Sequence, residues 1–343
     1  MAERLRVGLI GAGRIGKGHA RTLAAMPEVD LVAVADVNAE SARAVAGEVG
    51  VGRWTTDPTE TIADPAIDAV VIASSTDTHA ALIVAAAKAG THVFCEKPVA
   101  LDLETTDVAL AAVAAAGVGF QIGFQRRFDP AYAKAKALIA DGALGAIETI
   151  RDAMRDPAPP PRAYAEASGG LYRDMTIHNF DCVRWLMGAE PEQLFAMGSA
   201  LVDPSLAEIG EIDTSVVTMR FPGGALAVID NGRRSGFGYD VRTEIFGSKG
   251  ALLIGYREAT PLLHLGADGV RTDHVHFFLE RFACAYAEEL RAFVAAVRAA
   301  RPPDPGAADA RAALTLAYAA EASRAEGRPV DPGRWTSAQV ASS

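Results

Sequence analysis

The chain has 343 residues, a formal net charge of −10 and 50% hydrophobic residues, which gives enough apolar material for folded cores and a length typical of two domains. The acidic balance and the 7% share of aromatic residues disfavour a nucleic-acid partner, which needs basic surfaces and stacking side chains. No segment approaches the roughly 18 consecutive apolar residues that span a bilayer. The apolar run Val7–Ile10 is too short for a signal peptide, so we expect a cytoplasmic protein without membrane contact.

The sequence offers few residues in metal-binding patterns. Cys95, Cys182 and Cys284 lie far apart and form no C-x-x-C motif, so we expect small buried hydrophobic side chains rather than disulfides or a zinc site. His274 and His276 have metal-like spacing, but a packing role on a strand is the simpler interpretation. We therefore expect no metal.

Residues 1–125 alternate short β-like runs with helical runs. Helices are predicted over Arg14–Met26, Glu40–Glu48, His79–Lys88 and Glu104–Ala116, and Gly90 can end the third of them in a left-handed conformation. The strands that alternate with them are predicted in "LRVGLI", "VDLVAVAD", "IDAVVIAS", "THVFCEK" and "GVGFQIGF". Nearly continuous apolar strands separated by helices indicate a doubly wound parallel sheet that is covered on both faces.

After Gln125 the pattern changes to a helix over Pro130–Ala140, a strand in "AIETIRDAM", a proline-held loop in "RDPAPPPRAY" and longer alternating segments. The alternating segments predict an open, mostly antiparallel sheet: "QLFAMGSALV", "DTSVVTMRF", "ALAVIDNGR", "YDVRTEIFG" and "KGALLIGY". Two helices, Phe277–Ala300 and Ala307–Ala322, follow. We expect an α/β fold with a first domain over 1–125, an α+β domain over 126–330 and a loosely ordered tail over 331–343.

The motif "GAGRIG" follows the first predicted strand and opens the first helix. Gly11, Gly13 and Gly16 match the dinucleotide-binding pattern, in which the glycines allow a tight turn and close approach of a pyrophosphate to a helix N-terminus. Arg14 and Ile15 stand within the same motif and are also expected to contact the cofactor. The first domain is therefore predicted to be an NAD-binding Rossmann domain.

The choice between the two nicotinamide dinucleotides follows from charge. Asp36 ends the second predicted strand, where a carboxylate can accept hydrogen bonds from the adenosine ribose. Its charge would repel a 2′-phosphate, and no arginine follows it before Arg43. The sequence therefore predicts NAD in preference to NADP.

The motif "SSTDTH" stands at the end of the third predicted strand, at the sheet edge where ligands of such folds bind. Ser74, Ser75 and Thr76 supply hydroxyl groups for a cofactor ribose. His79 either joins them in binding the cofactor or only begins the next helix.

Two further motifs carry titratable groups. "CEKP" places Glu96 and Lys97 at the end of the next strand, at the same sheet edge, where both are expected to contact the cofactor. Pro98 follows and can adopt a cis peptide bond. A lysine there would ordinarily lie at the surface. In "SGGLYRDMTIHNFD", Asp174 and His178 stand four positions apart on one face of a predicted helix. By itself this spacing is more typical of a solvated ion pair or a helix-stabilising contact than of a catalytic pair.

The ordered set "GAGRIG", "SSTDTH", "THVFCEKP", "GFQRRFDPAY" and "SGGLYRDMTIHNFD" resembles the glucose–fructose oxidoreductase, inositol dehydrogenase and rhizopine catabolism (Gfo/Idh/MocA) family over nearly the whole chain. The pair "RDPAPPP" and "SGGLYRDMTIH" is most similar to the bacterial inositol 2-dehydrogenase branch. The resemblance implies NAD-dependent oxidation of a cyclic polyol, with myo-inositol giving scyllo-inosose as the leading expectation. It also implies a catalytic group of Lys97, Asp174 and His178, and a homotetramer formed through the C-terminal sheet.

Chemistry suggests a role for each member of this group. His178 is the favoured acceptor of the hydroxyl proton, and Asp174 stabilises the resulting imidazolium. Lys97 donates to the same oxygen, or is itself the base if desolvation lowers its pKa. Gly169 and Gly170 leave room for cofactor and substrate at the helix start.

A polyol needs several polar partners, because each hydroxyl taken from water must regain a hydrogen bond. Arg127, Asp156 and Tyr239 are the candidates, besides Lys97 and the acid and histidine pair. Arg127 could instead form a salt bridge between domains, and Asp156 could cap a turn.

Three positions depart from the pattern expected of the inositol branch: Gln125, Asn179 and Val241. They lower the expectation for myo-inositol, and leave scyllo-inositol, an aldose or another polyol as alternative substrates. A dinucleotide-binding sensor without turnover is a more distant alternative. A zinc-dependent alcohol dehydrogenase is disfavoured, because the scattered cysteines do not supply its ligands.

Overall fold

The computed structural model describes residues 4–255 and 258–335. The first part of the chain alternates strands and helices as expected. Its elements are β1 Leu5–Ile10, α1 Arg14–Ala25, β2 Val29–Ala35, α2 Ala39–Glu48, β3 Trp54–Thr55, α3 Pro58–Ile62, β4 Ala69–Ile72, α4 Thr76–Ala89, β5 His92–Glu96, α5 Leu103–Ala116 and β6 Phe120–Gly123. The short elements β3 and α3 were not predicted.

The remaining part carries the longer strands and the C-terminal helices. Its elements are α6 Pro130–Ala140, β7 Ile147–Arg155, α7 Arg162–Ala167, α8 Ile177–Met187, β8 Gln193–Ser199, β9 Thr214–Arg220, β10 Leu226–Gly232, β11 Asp240–Gly247, β12 Gly250–Ile254, β13 Leu263–Gly266, β14 Gly269–Thr272, α9 Phe278–Arg281, α10 Ala283–Arg298 and α11 Ala307–Glu326. The hairpin of β13 and β14 was not predicted, and the single helix expected over 277–300 is divided into α9 and α10.

Within the described residues, β1 to β6 form one sheet in the order β3-β2-β1-β4-β5-β6, with every pairing parallel. The apolar run of β4 is buried along its whole length, which is why its sequence lacks the alternation of a half-exposed strand. Gly90 ends α4 at φ +75°, as predicted. The doubly wound parallel sheet is therefore confirmed.

The described chain divides into two compact units. Unit 1 contains the residues up to Phe128 and Cys284–Leu314, and unit 2 contains Asp129–Ala283 and Thr315–Trp335. The sequence instead placed 284–314 in the second domain. In the structure, Phe293 and Leu290 of α10 lie in the core of unit 1, where the rings of Phe293 and Phe94 are 5.9 Å apart. The apolar face of α10 thus packs against strands far away in sequence.

Unit 2 contains the second sheet, in the order β12-β11-β7-β10-β9-β8. Its pairings are antiparallel except for that of β7 with β10, which is parallel. One face is buried, and α8 packs against β7. The other face exposes Met197, Val216, Leu226, Phe246 and Leu253. The expectation of an open, mostly antiparallel sheet is confirmed.

The end of the chain is only partly described. Val330 pairs with Leu194, and Pro332–Arg334 form a short 3₁₀ turn. Residues 336–343 of the expected tail lie outside the described residues. Among the helices of the described ranges, none combines the length and apolar character that crossing a membrane requires.

Candidate active site

The glycine loop after β1 has the shape of a dinucleotide cradle. Gly11 has φ +99°, and a Cβ atom there would lie 2.4 Å from the backbone carbon of Ala73. A Cβ atom on Gly16 would lie 1.9 Å from the carbonyl oxygen of Gly11. Apart from Gly13 itself and its two chain neighbours, no described residue has an atom within 4 Å of the corresponding position on Gly13, the residue that precedes α1. Gly11 and Gly16 thus allow the tight turn, and Gly13 leaves the helix N-terminus open to a pyrophosphate.

Asp36 lies directly after β2 and is held by the backbone. Its Oδ2 accepts a hydrogen bond of 2.6 Å from the amide of Ala12, and its Oδ1 accepts one of 2.8 Å from the amide of Asn38. The carboxylate is therefore fixed beside the glycine loop. Arg14 is exposed and Ile15 half-buried in the first turn of α1. This loop, its helix N-terminus and the adjacent carboxylate fit an NAD molecule.

The predicted hydroxyl motif forms the start of α4. Ser75 precedes the helix and is exposed, Thr76 is its first residue, and the hydroxyl of Ser74 lies 2.7 Å from that of Thr78. His79 is 1% exposed, and its Nδ1 lies 2.8 Å from the carbonyl oxygen of Pro98. Burial lowers the pKa of His79, and its hydrogen bonds to carbonyl oxygens oppose the shift only in part. The geometry favours the structural role for this histidine.

Lys97 follows β5 and is half-buried, and its peptide bond to Pro98 is cis. Glu96 lies at the strand end, where its Oε1 is 2.7 Å from Nε2 of His19. A Cβ atom on Gly123 would lie only 2.9 Å from the other carboxylate oxygen of Glu96. The Glu96 carboxylate is therefore packed against α1 and β6.

Glu289 of α10 completes a buried cluster with His19 and Glu96, since the polar atoms of the three lie within 4.8 Å of one another. Glu289 is fully buried, and among the described residues neither of its carboxylate oxygens has a hydrogen-bond partner. Burial, and then the charge of Glu96, raises the pKa of Glu289 well above 4.5. This cluster was not predicted from the sequence, because its members lie far apart along the chain.

Asp174 and His178 lie on one helical segment of unit 2, as predicted, but the segment is not a continuous α-helix. Tyr172–Thr176 form a π-helical turn that leads directly into α8. Such turns are rare in proteins as a whole, but those that occur often lie at functional sites. The side chain of Asp174 is 11% exposed and His178 is half-buried.

The two glycines before this segment both have positive φ. A Cβ atom on Gly170 would lie 2.3 Å from a carboxylate oxygen of Glu211. In the structure, the missing side chain at 170 therefore makes room for Glu211. This contact gives a structural reason for the glycine, besides the predicted approach of ligands.

Arg233, which the sequence did not single out, joins two of the predicted carboxylates. Its Nη2 donates to Asp174 Oδ2 at 2.7 Å, and its Nη1 donates to Asp156 Oδ2 at 2.9 Å. The hydroxyl of Tyr164 on α7 donates to Asp174 Oδ1 at 3.0 Å. The two arginines of "NGRRSGFGYD" were the available signal, but without the strand pairing nothing linked them to Asp156.

The other two substrate candidates lie in different surroundings. Arg127 is buried in unit 1 and forms ion pairs with Asp309 at 2.6 Å and Asp304 at 3.5 Å. The ring of Tyr239 packs near Phe278 and Phe282 in unit 2, with centroid distances of 6.3 and 6.2 Å. For Arg127 the geometry favours the salt-bridge alternative, here within one unit. Tyr239 has an evident packing role.

The three departures from the inositol branch are all buried. Asn179 donates to Asp152 at 2.8 Å and accepts from Asn231 at 3.1 Å. Gln125 donates to the hydroxyl of Tyr286 at 3.3 Å, and Val241 lies in the buried face of β11. These side chains therefore have structural partners of their own.

Comparison with known proteins agrees with this geometry. The model of the GFO/IDH/MocA oxidoreductase family, with its NAD-binding Rossmann fold, matches residues 5–124, and the GFO/IDH/MocA C-terminal domain matches residues 132–253. Myo-inositol 2-dehydrogenase from Thermotoga maritima is 45% identical over 95% of this chain and 98% of that protein. The scyllo-inositol 2-dehydrogenase (NAD(+)) of Bacillus subtilis is 37% identical over 96% of this chain and 97% of that protein.

A solved structure of scyllo-inositol dehydrogenase from Lactobacillus casei, with bound NAD(H) and scyllo-inositol, has a TM-score of 0.89 to this chain. It is 32% identical, and the match covers 96% of this chain and 100% of that one. Together with the glycine cradle and the buried carboxylates, these matches establish what the ordered motifs predicted: the chain belongs to the GFO/IDH/MocA family of oxidoreductases with an NAD-binding Rossmann fold.

Proposed function

We propose that this protein is an NAD-dependent inositol dehydrogenase that oxidises myo-inositol at its axial hydroxyl to scyllo-inosose. The observation that carries this proposal is the 45% identity, over 95% of the chain, to the Thermotoga maritima protein named myo-inositol 2-dehydrogenase. The glycine cradle and the fixed carboxylate of Asp36 support the cofactor half of the reaction.

The residues that would hold NAD are those of the cradle, Asp36 and the hydroxyl groups at the start of α4. When bound, NAD⁺ supplies a hydride acceptor at nicotinamide C4. The amide groups at the start of α1 would hold the pyrophosphate. The Asp36 carboxylate would accept from ribose hydroxyls and would repel the 2′-phosphate of NADP, so we propose NAD as the preferred cofactor.

We assign the proton transfer to His178. Oxidation of a secondary alcohol breaks the C–H bond as a hydride and the O–H bond as a proton, so the protein must accept that proton. A neutral imidazole suits this role near neutral pH, and the Asp174 anion stabilises the imidazolium that forms. Lys97 donates a hydrogen bond to the reacting oxygen and stabilises its developing negative charge.

A second candidate substrate is scyllo-inositol. It is supported by the Bacillus subtilis relative, which is named for that substrate, and by the Lactobacillus casei structure in which it is bound. The two inositols differ in one hydroxyl, axial in the first and equatorial in the second. Separate kinetic assays of each therefore decide between the candidates.

The test is NADH formation from NAD⁺ with myo-inositol, scyllo-inositol and D-glucose, each supplied alone. We expect the highest kcat/KM for myo-inositol, and deuterated NADH from myo-inositol that carries deuterium at C2. A higher value for scyllo-inositol would establish the alternative substrate. No NADH from any polyol, with NAD⁺ still bound, would mean a sensor without turnover.

The residue assignments are tested by Lys97→Met and His178→Asn. Each change should lower kcat by at least ~10²-fold. Lys88→Met and His276→Asn change exposed residues of the same types and serve as matched controls. A loss below tenfold for both test variants would remove these residues from the reaction.

We also propose a cytoplasmic location and a homotetramer that forms through the second sheet. Met197 and Val216 are cross-strand neighbours on the exposed face, and Phe246 and Leu253 lie farther along it. A broad apolar sheet face of this kind is typical of a contact with another chain. Sedimentation should give a tetramer for the protein and smaller species for the double variant Met197→Glu, Val216→Lys. A monomer at micromolar concentration would contradict this assembly.

A further inference from the structure

Arg233 lies just after β10 and is buried, with 8% of its side chain exposed. The parallel pairing of β10 with β7 places Gly232 opposite Arg155. The residues that follow, Arg233 and Asp156, therefore stand side by side at the same end of these two strands. A backbone hydrogen bond also joins the two strands at this point, since the amide of Asp156 donates to the carbonyl of Gly232 at 3.0 Å. The strand pairing therefore places the backbone of Arg233 next to that of Asp156.

Two carboxylates approach the guanidinium from different elements. Asp156 approaches it from the end of β7, and Asp174 approaches it from the π-helical turn. Tyr164 reaches the same Asp174 from α7, and His178 stands one turn further along the helical segment of Asp174. Each oxygen of Asp174 thus accepts a hydrogen bond, one from Arg233 and one from Tyr164.

We propose that Arg233 is a positioning residue that holds Asp174 as an oriented anion beside His178 over the whole pH range in which the enzyme works. This role rests on the proposed function, in which His178 accepts the substrate proton. Arg233 donates to both Asp156 and Asp174, and its positive charge favours the ionised form of each carboxylate. Asp174 then stabilises the imidazolium without itself taking the proton.

The directions in which the pKa values of Arg233 and Tyr164 are shifted agree with this role. Burial alone would lower the pKa of Arg233, but the charges of Asp174 and Asp156 outweigh it and raise the pKa above its ordinary value. Burial, followed by the charge of Asp174, raises the pKa of Tyr164. Both groups therefore keep their protons and remain donors to the carboxylate at any pH near neutrality.

Removal of the cation should change the pH profile and not merely the rate. In Arg233→Met, the guanidinium that donates to both carboxylates is lost, so at least one of them should bind a proton at a higher pH. We expect the acidic limb of the kcat/KM profile to move upward by about one pH unit or more. Arg233→Lys keeps the charge and should restore most of the original profile, while Arg234→Met, at the exposed neighbouring residue, should leave it unchanged.

A purely structural role would give a different result, namely a uniform loss of activity in Arg233→Met with the acidic limb unmoved. That outcome, or a profile identical to that of the unmodified protein, would overturn the assignment. Thermal melting and NAD⁺ binding, which is a property of unit 1, check that the variant is folded.

A second readout does not depend on turnover. Carbon-13 NMR titration of the aspartate carboxyl groups, with Asp156→Asn and Asp174→Asn to assign the signals, should show one carboxyl pKa raised in Arg233→Met. If no polyol is oxidised but this shift is present, the proposed function fails and the electrostatic role of Arg233 stands. If polyols are oxidised and the shift is absent, the role of Arg233 fails alone.

Discussion

The Nδ1 atom of His79 lies 2.8 Å from the carbonyl oxygen of Pro98, and its Nε2 atom lies 3.2 Å from the carbonyl oxygen of Ser74. A neutral imidazole has one N–H group, and the shorter contact assigns it to Nδ1. His79 thus links α4 to the residue that follows Lys97. This hydrogen bond explains why a histidine stands inside an otherwise apolar helix face.

Replacement of His79 by Leu should lower the free energy of unfolding by about 1–3 kcal/mol at pH 7.5, because the buried carbonyl of Pro98 loses its donor. Since burial lowers the pKa of His79, the unfolded chain binds a proton first as the pH falls below about 6.5. The stability that the neutral ring contributes is therefore lost as the pH falls. Urea unfolding should show the difference from the unmodified protein shrinking between pH 7.5 and 5, and a constant difference would contradict the neutral ring.

Gly11 and Gly13 should respond differently to substitution by Ala. Gly11 has φ +99°, and an added Cβ atom there would clash with the backbone of Ala73. Gly11→Ala should therefore lower the free energy of unfolding by at least about 1–3 kcal/mol. At Gly13 the position is open, so Gly13→Ala should melt near the temperature of the unmodified protein but bind NAD⁺ more weakly.

Gly18, inside α1 and also open, is the matched control for these two glycines. Gly18→Ala should gain up to about 1 kcal/mol from helix propensity and leave NAD⁺ affinity unchanged. Calorimetric melting and NAD⁺ titration measure both quantities. Equal NAD⁺ affinity in Gly13→Ala and Gly18→Ala would argue against a pyrophosphate at the glycine loop.

Asp36 should determine the choice of cofactor through its charge. Asp36→Asn keeps an acceptor for the amide of Ala12 and removes the negative charge. The ratio of kcat/KM for NADP⁺ to that for NAD⁺ should rise by at least about fivefold, because roughly 1 kcal/mol or more of repulsion is removed. Steady-state kinetics with both cofactors measure this ratio, and an unchanged ratio would show that the charge does not exclude the 2′-phosphate.

Glu289 should make the protein less stable as the pH rises. Its pKa is raised in the folded state, so the unfolded chain releases the proton first as the pH rises above about 4.5. Glu289→Gln, which cannot ionise, should therefore become more stable relative to the unmodified protein by up to about 1.4 kcal/mol per pH unit over this window.

The matched control is Glu288→Gln, at a side chain that is 44% exposed on the same helix. It should show no comparable trend in unfolding experiments between pH 5 and 8. A flat difference for Glu289→Gln as well would mean that Glu289 is already ionised in the folded protein.

The sequence predicted the first sheet well because its signals are local. Apolar runs such as β4, the glycine loop and the left-handed end of α4 at Gly90 are each specified by a few adjacent residues. The same locality placed Asp174 and His178 on one helical segment. It did not predict the π-helical turn of Tyr172–Thr176, since no short pattern distinguishes a π-helix from an α-helix.

The residues that pair with the predicted site residues could not be predicted from local patterns, because strand pairing decides which of them meet. Hairpin-like segments led to the expectation of antiparallel neighbours, but β7 and β10 pair in parallel and bring Asp156 beside Arg233. The assignment of 284–314 to the second domain had a similar cause. The apolar face of α10 was visible in the sequence, but the core that receives it was not.

By itself, the sequence determined the family, the NAD-binding loop and the catalytic candidates, because each depends on residue type at fixed spacing. Only the tertiary structure decided which charges meet: Arg233 with Asp174 across 59 positions, and Glu96 with His19 across 77. Electrostatic free energy depends on distance and burial, and these are set by strand order and packing rather than by separation along the chain.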